Sequence, residues 1–153
     1  MQLAQLNIAR LLYPQDDPRV APFMNALDKV NAVADRADGF IWRLQDDSGN
    51  ATDLDPFGDD RLIVNLSVWR DVTSLENFVW KTVHKKVYER KQEWFSAMKM
   101  EHFVMWFVAD GHIPTVEEAK ARLDYLNENG QSDHAFGWSH LPEVKLWLEA
   151  QCA

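Results

Sequence analysis

Only one cysteine is present, Cys152, so no internal disulfide can form and a disulfide-stapled secreted fold is excluded; the cytoplasm is the expected compartment. Basic residues are scarce. Sixteen Lys and Arg against 24 Asp and Glu leave a net charge of −8, which removes nucleic acid and anionic membrane surfaces from the expected partners, since both need a basic face. No run approaches the roughly 18 to 20 apolar residues of a membrane span. The opening MQLAQLNIARLL lacks the charged start and long apolar core of a signal peptide and reads as mature structure. There is no glycine-rich phosphate loop and no nucleophile elbow. The histidines (His84, His102, His112, His134 and His140) stand without HExxH or CxxC company, so neither a zinc site nor any other metal or cofactor is expected. Repeats, low-complexity tracts and linkers are missing too, and residues 1–153 read as a single domain. A chain of this length buries about 68–70% of its unfolded surface.

What the chain has in quantity is aromatic surface: 7 Trp, 8 Phe and 3 Tyr. The chain is arranged around Arg61–Phe95, which opens with RLIVNLSVW (Arg61–Trp69), in which Val64, Leu66 and Val68 alternate with Asn65, Ser67 and Trp69 as the two faces of a strand. A long helical run follows from Leu75 to Phe95, with Thr73 or Ser74 as its expected N-cap. Upstream, Leu3–Leu12 alternates in the same way, with Ala4, Leu6 and Ile8 opposed to Gln5, Asn7 and Ala9. Asp17 caps and Pro18 opens a helix over Val20–Arg36, whose apolar stripe is Phe23, Leu27, Val30 and Ala34. Gly39 ends that helix, and Phe40–Gln45 is a second strand. Asp46–Asp60 fails the calcium-loop pattern at Phe57 and Val64 and reads as a solvated acidic hairpin loop. Downstream come a strand at Glu101–Ala109 and a helix at Val116–Asn129, capped by Thr115 with Glu118 and stopped by Gly130. A short strand at Ala135–Ser139 and a terminal helix at Leu141–Ala150 complete the reading.

The order β-α-β-β-α-β plus a helical extension is an α+β, ferredoxin-like arrangement with both main helices on one face of an antiparallel sheet. The expectation is that these helices cover the Val64 side. The face of Asn7, Asn65 and Trp69 is then left for the sheet of a second copy, in an obligate homodimer. On that face Asn65 and Trp69 share parity with Asn7, Gln5, Ser67 and Arg43. Amides and an indole N–H in a partly apolar cup can orient a carbonyl or stabilise an enolate; hydrogen bonding across the dimer interface is the alternative. On the following helix Trp80, His84 and Tyr88 share a flank, and His84 is a candidate general base or relay. Arg90 falls inside an apolar stripe and calls for either a ligand or a salt bridge with its stem packed on Trp94; the salt bridge is preferred.

The phrases LAQLNIAR, GFIWRLQ, VNLSVWRDVTSLENFVWKTVHKKVYERKQEWF, VMWFVADGHIPTVEEAKARLDYL and AFGW resemble a bacterial domain-of-unknown-function family, DUF3291, of the dimeric α/β-barrel superfamily. The resemblance spans nearly the whole chain and extends more distantly to antibiotic-biosynthesis and haem-degrading monooxygenases. It implies a homodimeric barrel around a small-molecule ligand. In the cofactor-free quinone-forming oxygenases an Asn-x-x-x-Trp pair on the third strand helps bind an anthrone-type substrate. Asn65 and Trp69 are similar to that pair, Asn7 to a second asparagine, and Arg90 to a contributing arginine on the next helix. His84 with Trp80 is similar to the histidine and tryptophan of the haem-degrading relatives, at shorter spacing. The resemblance therefore implies a cofactor-independent monooxygenase acting on a small aromatic or enolisable substrate. Asn65, Trp69 and His84 would be catalytic, and Asn7, Arg43, Ser67, Trp80 and Arg90 would bind substrate. A non-catalytic binding or structural dimer is the alternative, and a haem-binding or haem-degrading enzyme a further one.

Overall fold

The computed structural model describes residues 1–45, 61–81, 85–86, 89–96 and 100–141. The elements are β1 (Gln2–Arg10), α1 (Ala21–Arg36), β2 (Phe40–Arg43), β3 (Leu62–Trp69), α2 (Val72–Lys81), α3 (Lys91–Trp94), β4 (Phe103–Val108) and α4 (Val116–Asn129), with 3-10 turns at Pro18–Val20 and Trp138–His140. The strands form one antiparallel sheet in the order β2-β3-β1-β4. This is the expected ferredoxin-like arrangement: the two halves of the chain interleave, so β1 and β3 lie side by side at the centre. The acidic loop Asp46–Asp60 and the terminal helix at Leu141–Ala150, apart from Leu141, lie outside the described residues.

Local chemistry sets most boundaries. Asp17 accepts from the backbone N–H of Arg19 at 2.8 Å, and Pro18 opens the 3-10 turn that leads into α1. Thr115 accepts from the N–H of Glu118, and Gly130 closes α4 with φ +77°. At α2 the expectation needs correcting. Helix α2 starts at Val72, and its cap is Asp71, whose carboxylate accepts from Ser74 N–H at 2.8 Å and from the Ser74 hydroxyl at 2.7 Å. Those hydrogen bonds hold the Asp71 carboxyl below its ordinary value. Gly39 combines φ +86° with a contact so close that an added Cβ would run into the Ser74 side chain. The α1–β2 turn and the start of α2 are thereby locked together, aided by Arg70 N–H donating to Gly39 C=O at 2.7 Å. Ala135–Ser139 is not a regular strand. Phe136 makes a single antiparallel bridge to Met105, and the chain turns at Trp138.

The assignment of helices to sheet faces is the main correction. Ala4, Leu6, Ile8, Val64, Leu66, Val68, Val104, Trp106 and Val108 form one face, and it is packed by Ala119, Leu123 and Leu126 of α4. The opposite face, with Leu3, Trp69 and Met105, is covered by Val30 and Ala34 of α1 and by Leu75, Phe78, Val79 and Trp80 of α2. The Asn65–Trp69 face is thus inside the protomer, under the two main helices. It is not a bare surface awaiting a second sheet. Both residue sets are apolar enough to hold a helix, and alternation sorts residues into faces without saying which helix covers which.

Candidate functional site

Under α1 and α2 the sheet is not filled. A cavity of about 520 Å³ lies between them, within the range typical of small-molecule sites. Its floor is the inward face of β1 and β3. The register pairs Asn7 with Asn65, Gln5 with Ser67 and Leu3 with Trp69. One polar strip therefore crosses the two central strands, with Trp69 at its end.

The strip is internally hydrogen-bonded. Gln5 Nε2 donates to Asn65 Oδ1 and to Ser67 Oγ, each at 2.6 Å. Trp69 Nε1 donates to Ser67 Oγ at 2.9 Å. Gln5 and Ser67 are each 5% exposed and Trp69 is 1% exposed, whereas Asn65 is open to the cavity in mid-strand.

Around the strip the walls are aromatic. Trp69 stacks on Phe78 with centroids 5.1 Å apart and meets Phe40 edge-on at 5.5 Å. Phe103 stacks on Trp138 at 5.5 Å, and Trp80 lies beside Trp138 at 6.4 Å. All six rings line the cavity. Such rings present broad, rigid apolar surface suited to a flat ligand.

Charge in the cavity is one-sided. Arg43, Lys91 and His102 line it, and among the described residues no Asp, Glu or Cys does, in a chain that carries 24 acidic residues. Arg43 is held by a bidentate pair with Asp35, at 2.7 and 3.1 Å. Among the described residues, no group of three or more His, Cys, Asp or Glu side chains is placed to hold a metal ion. No helix there is long and apolar enough to cross a membrane.

Of the residues singled out from the sequence, Asn7, Arg43, Asn65, Ser67, Trp69 and Trp80 all line this one cavity. Arg90 does not. Its side chain is 52% exposed, pairs with Glu93 at 2.8 Å and lies over the Trp94 ring at 4.6 Å. The salt-bridge reading holds, and the substrate-binding assignment of Arg90 is withdrawn. The chain turns at Arg90 before α3 begins, so Arg90 does not lie within one continuous helix running to Phe95. His84 and Tyr88 lie outside the described residues.

Among the polar lining residues, Asn31, Lys91, Gln92, Ser96 and His102 escaped the sequence reading, and Gln5 was grouped with Asn7 by parity without a role of its own. Asn31 was detectable. It stands four residues after Leu27 on α1, beside the apolar stripe, and it is buried. Gln5 shares parity with Asn7, but its partners lie 60 and 62 residues away and depend on the β1–β3 register.

Sheet order and cavity together define a ferredoxin-like α+β domain with a ligand-sized chamber between its sheet and its two main helices. The chain belongs to the family described as domain of unknown function DUF3291, whose model matches residues 2–151. No curated protein sequence matches it. Among solved structures it is similar to NE2512, a protein of unknown function from Nitrosomonas europaea. That likeness has 9% identity and a TM-score of 0.50, and covers 74% of this chain and 95% of that one. It is also similar to SnoaB, a cofactor-independent oxygenase from Streptomyces nogalater, at 15% identity and a TM-score of 0.49, over 74% of this chain and 98% of that one. PA3566 from Pseudomonas aeruginosa shares 15% identity with a TM-score of 0.48, over 71% and 94% of the two chains. At such identities the likeness concerns the fold.

Proposed function

We propose that the protein is a cytoplasmic, cofactor-independent oxygenase acting on a small, flat, electron-rich aromatic or enolisable compound bound in this cavity. The observation that carries the reading is the cross-strand pair Asn7 and Asn65 on the floor of a chamber walled by Trp69, Phe78, Phe40, Phe103, Trp80 and Trp138. The aromatic walls hold the ring and exclude water, and the floor amides hydrogen-bond the oxygen on which negative charge develops.

The chemistry needs little else. Loss of a proton from a ring CH₂ flanked by a carbonyl gives an enolate, which is electron-rich enough to pass one electron to dioxygen. The resulting radical pair combines as a peroxide. Loss of water then leaves a carbonyl where the CH₂ stood. One oxygen atom of O₂ enters the product and the other leaves as water with the two hydrogens from carbon; the four electrons come from the substrate. His102 lines the cavity near the Asn7 end of β1 and is assigned to receive the first proton, imidazole being suited to proton transfer near neutral pH. Trp69 acts as a wall, because its indole N–H is committed to Ser67.

The test is oxygen uptake under metal-free conditions with a panel of anthrone- and quinol-like compounds. Uptake above buffer is expected, falling on the order of 10²–10³-fold in Asn65→Ala. No uptake by the wild type, or equal rates in Asn65→Ala, sinks the reading. A binder without turnover would instead take up these compounds with no oxygen consumed. The proposal includes a homodimer, expected from the family resemblance, in which the Asn65 face is not the surface shared between copies. Sedimentation equilibrium at micromolar concentration checks it, and a monomer would remove that part.

A further inference from the structure

The hydrogen bonds of Asn65 and Ser67 on the cavity floor leave a pattern of one sign at those two positions. An indole N–H can only donate, so Ser67 Oγ is the acceptor in its 2.9 Å contact with Trp69. Both N–H groups of Gln5 are used, one on Asn65 Oδ1 and one on Ser67 Oγ. Ser67 Oγ, having accepted twice, has its own hydroxyl hydrogen left to offer. Asn65, with its Oδ1 engaged, has its Nδ2 hydrogens left. What remains for a ligand at both positions is a donor.

We propose that Gln5 is the positioning residue that makes Asn65 and Ser67 present donors to the cavity, and that the cavity therefore takes the ionised oxygen of its ligand, a phenolate or enolate, in preference to the neutral hydroxyl. This rests on the reading of the cavity as an aromatic substrate site and names the charge state it selects. The surrounding charges agree. The titratable or charged side chains lining the cavity are Arg43 from β2, Lys91 from α3 and His102 ahead of β4; no carboxylate lines it among the described residues, and that of Asp35 on α1 is engaged by Arg43. Burial of Gln5 and Ser67 matters as well, since hydrogen bonds to an ionised acceptor strengthen where water is excluded. Gln5 touches no reacting atom. Its part is to keep the Asn65 amide from turning its carbonyl toward the ligand.

The probe is 2-naphthol, whose neutral and ionised forms absorb at different wavelengths, titrated against pH free and bound to the full chain. Bound 2-naphthol is expected to ionise at least one pH unit below the free compound, a tenfold preference for the anion. Gln5→Leu should return most of that shift, Ser67→Ala part of it, and Gln5→Leu placed on Asn65→Leu should add much less than it does alone, because its larger effect passes through the Asn65 amide and only the Ser67 contact remains. An unshifted or raised ionisation in the wild type overturns the proposal without any variant. A raised value is what the reverse arrangement would give, with Gln5 Oε1 accepting and the Asn65 carbonyl facing inward. Full additivity of the two Leu variants overturns the positioning role. Failure of 2-naphthol to bind overturns this inference and the aromatic-site reading together. A lowered ionisation with no oxygen uptake from any compound removes only the oxygenase reading. Oxygen uptake without the shift removes only this one.

Discussion

The two faces of the sheet are built by the same strands from alternate residues, and they have opposite fates. One face, from Ala4, Leu6 and Ile8 through Val64, Leu66 and Val68 to Val104 and Trp106, is apolar throughout and sealed by α4. The other interrupts its apolar residues with Gln5, Asn7, Asn65 and Ser67, and there α1 and α2 leave about 520 Å³ between themselves and the strands. Four polar side chains in mid-sheet are costly to bury without partners. Here they partly satisfy one another and otherwise meet a chamber. The packed face holds the fold together, and the hollow face is available for chemistry.

If that division is right, substitutions should sort by face. The largest loss of stability is expected from Leu66→Ala on the packed face, about 2–5 kcal/mol in denaturant unfolding, because the removed methyl groups leave a void in a sealed core. Asn65→Ala, one residue away, should cost less in the same measurement, about 0.5–1.5 kcal/mol, since its side chain is open to the cavity and the loss is the hydrogen bond it accepts from Gln5. Equal losses at the two sites would break the comparison. Gly39→Ala should cost about 1–3 kcal/mol by thermal or denaturant unfolding, combining an unfavourable positive φ with a collision against Ser74. It should also loosen ligand binding, because Ser74 begins the helix that roofs the hollow side. Asp71→Ala, which removes the α2 cap, should cost roughly 1 kcal/mol.

The smallest effect concerns acid. Burial alone would raise the Glu118 carboxyl, but hydrogen bonds from His112 and from the Trp106 indole N–H outweigh it and leave the group below its ordinary value. A carboxyl depressed in the folded state contributes stability that is fully present above its unfolded value and is lost as pH falls through the folded one. Unfolding midpoints for wild type and Trp106→Phe should therefore run apart at neutral pH and draw together in acid. A constant gap across that range would remove Glu118 from the sealing of the packed face.

Much of this was legible in the sequence. The β1 and β3 alternation, the Asp17 start, and the Thr115 and Gly130 ends of α4 are set by neighbours in the chain, and local chemistry sufficed for them. The cap of α2 was misread because Thr73 and Ser74 are themselves good caps, and only the helix start at Val72 gives the role to Asp71. The covering of the faces was not legible. Leu3, Trp69 and Met105 offer one helix-binding surface, Leu6, Leu66 and Trp106 offer another, and the choice depends on how α4 returns to the sheet. The candidate site was half legible. Parity collected Asn7, Asn65, Ser67 and Trp69, but the link through Gln5 spans some sixty residues and exists only once the strands are in register. Arg90 was read as interior to one helix running to Phe95, whereas the chain turns at that residue.

The bridge between Met105 and Phe136 reaches beyond its own two residues. Phe136 gives its N–H to Met105 and takes one back, at 3.0 and 2.7 Å, along the outer margin of β4. An exposed strand margin is a template on which a foreign or misfolded chain can grow a sheet. Here the protein's own chain occupies part of the margin that would otherwise be the more dangerous, since β4 is the longer edge strand. At the other margin, β2 is four residues long, has an irregular register between Phe40 and Trp42, and carries Arg43 tied to Asp35. A strand so short, kinked and charged is a poor template. Among the described residues the sheet therefore has one edge partly closed by self-pairing and one made unattractive by sequence, which disfavours fibre-like growth from either side.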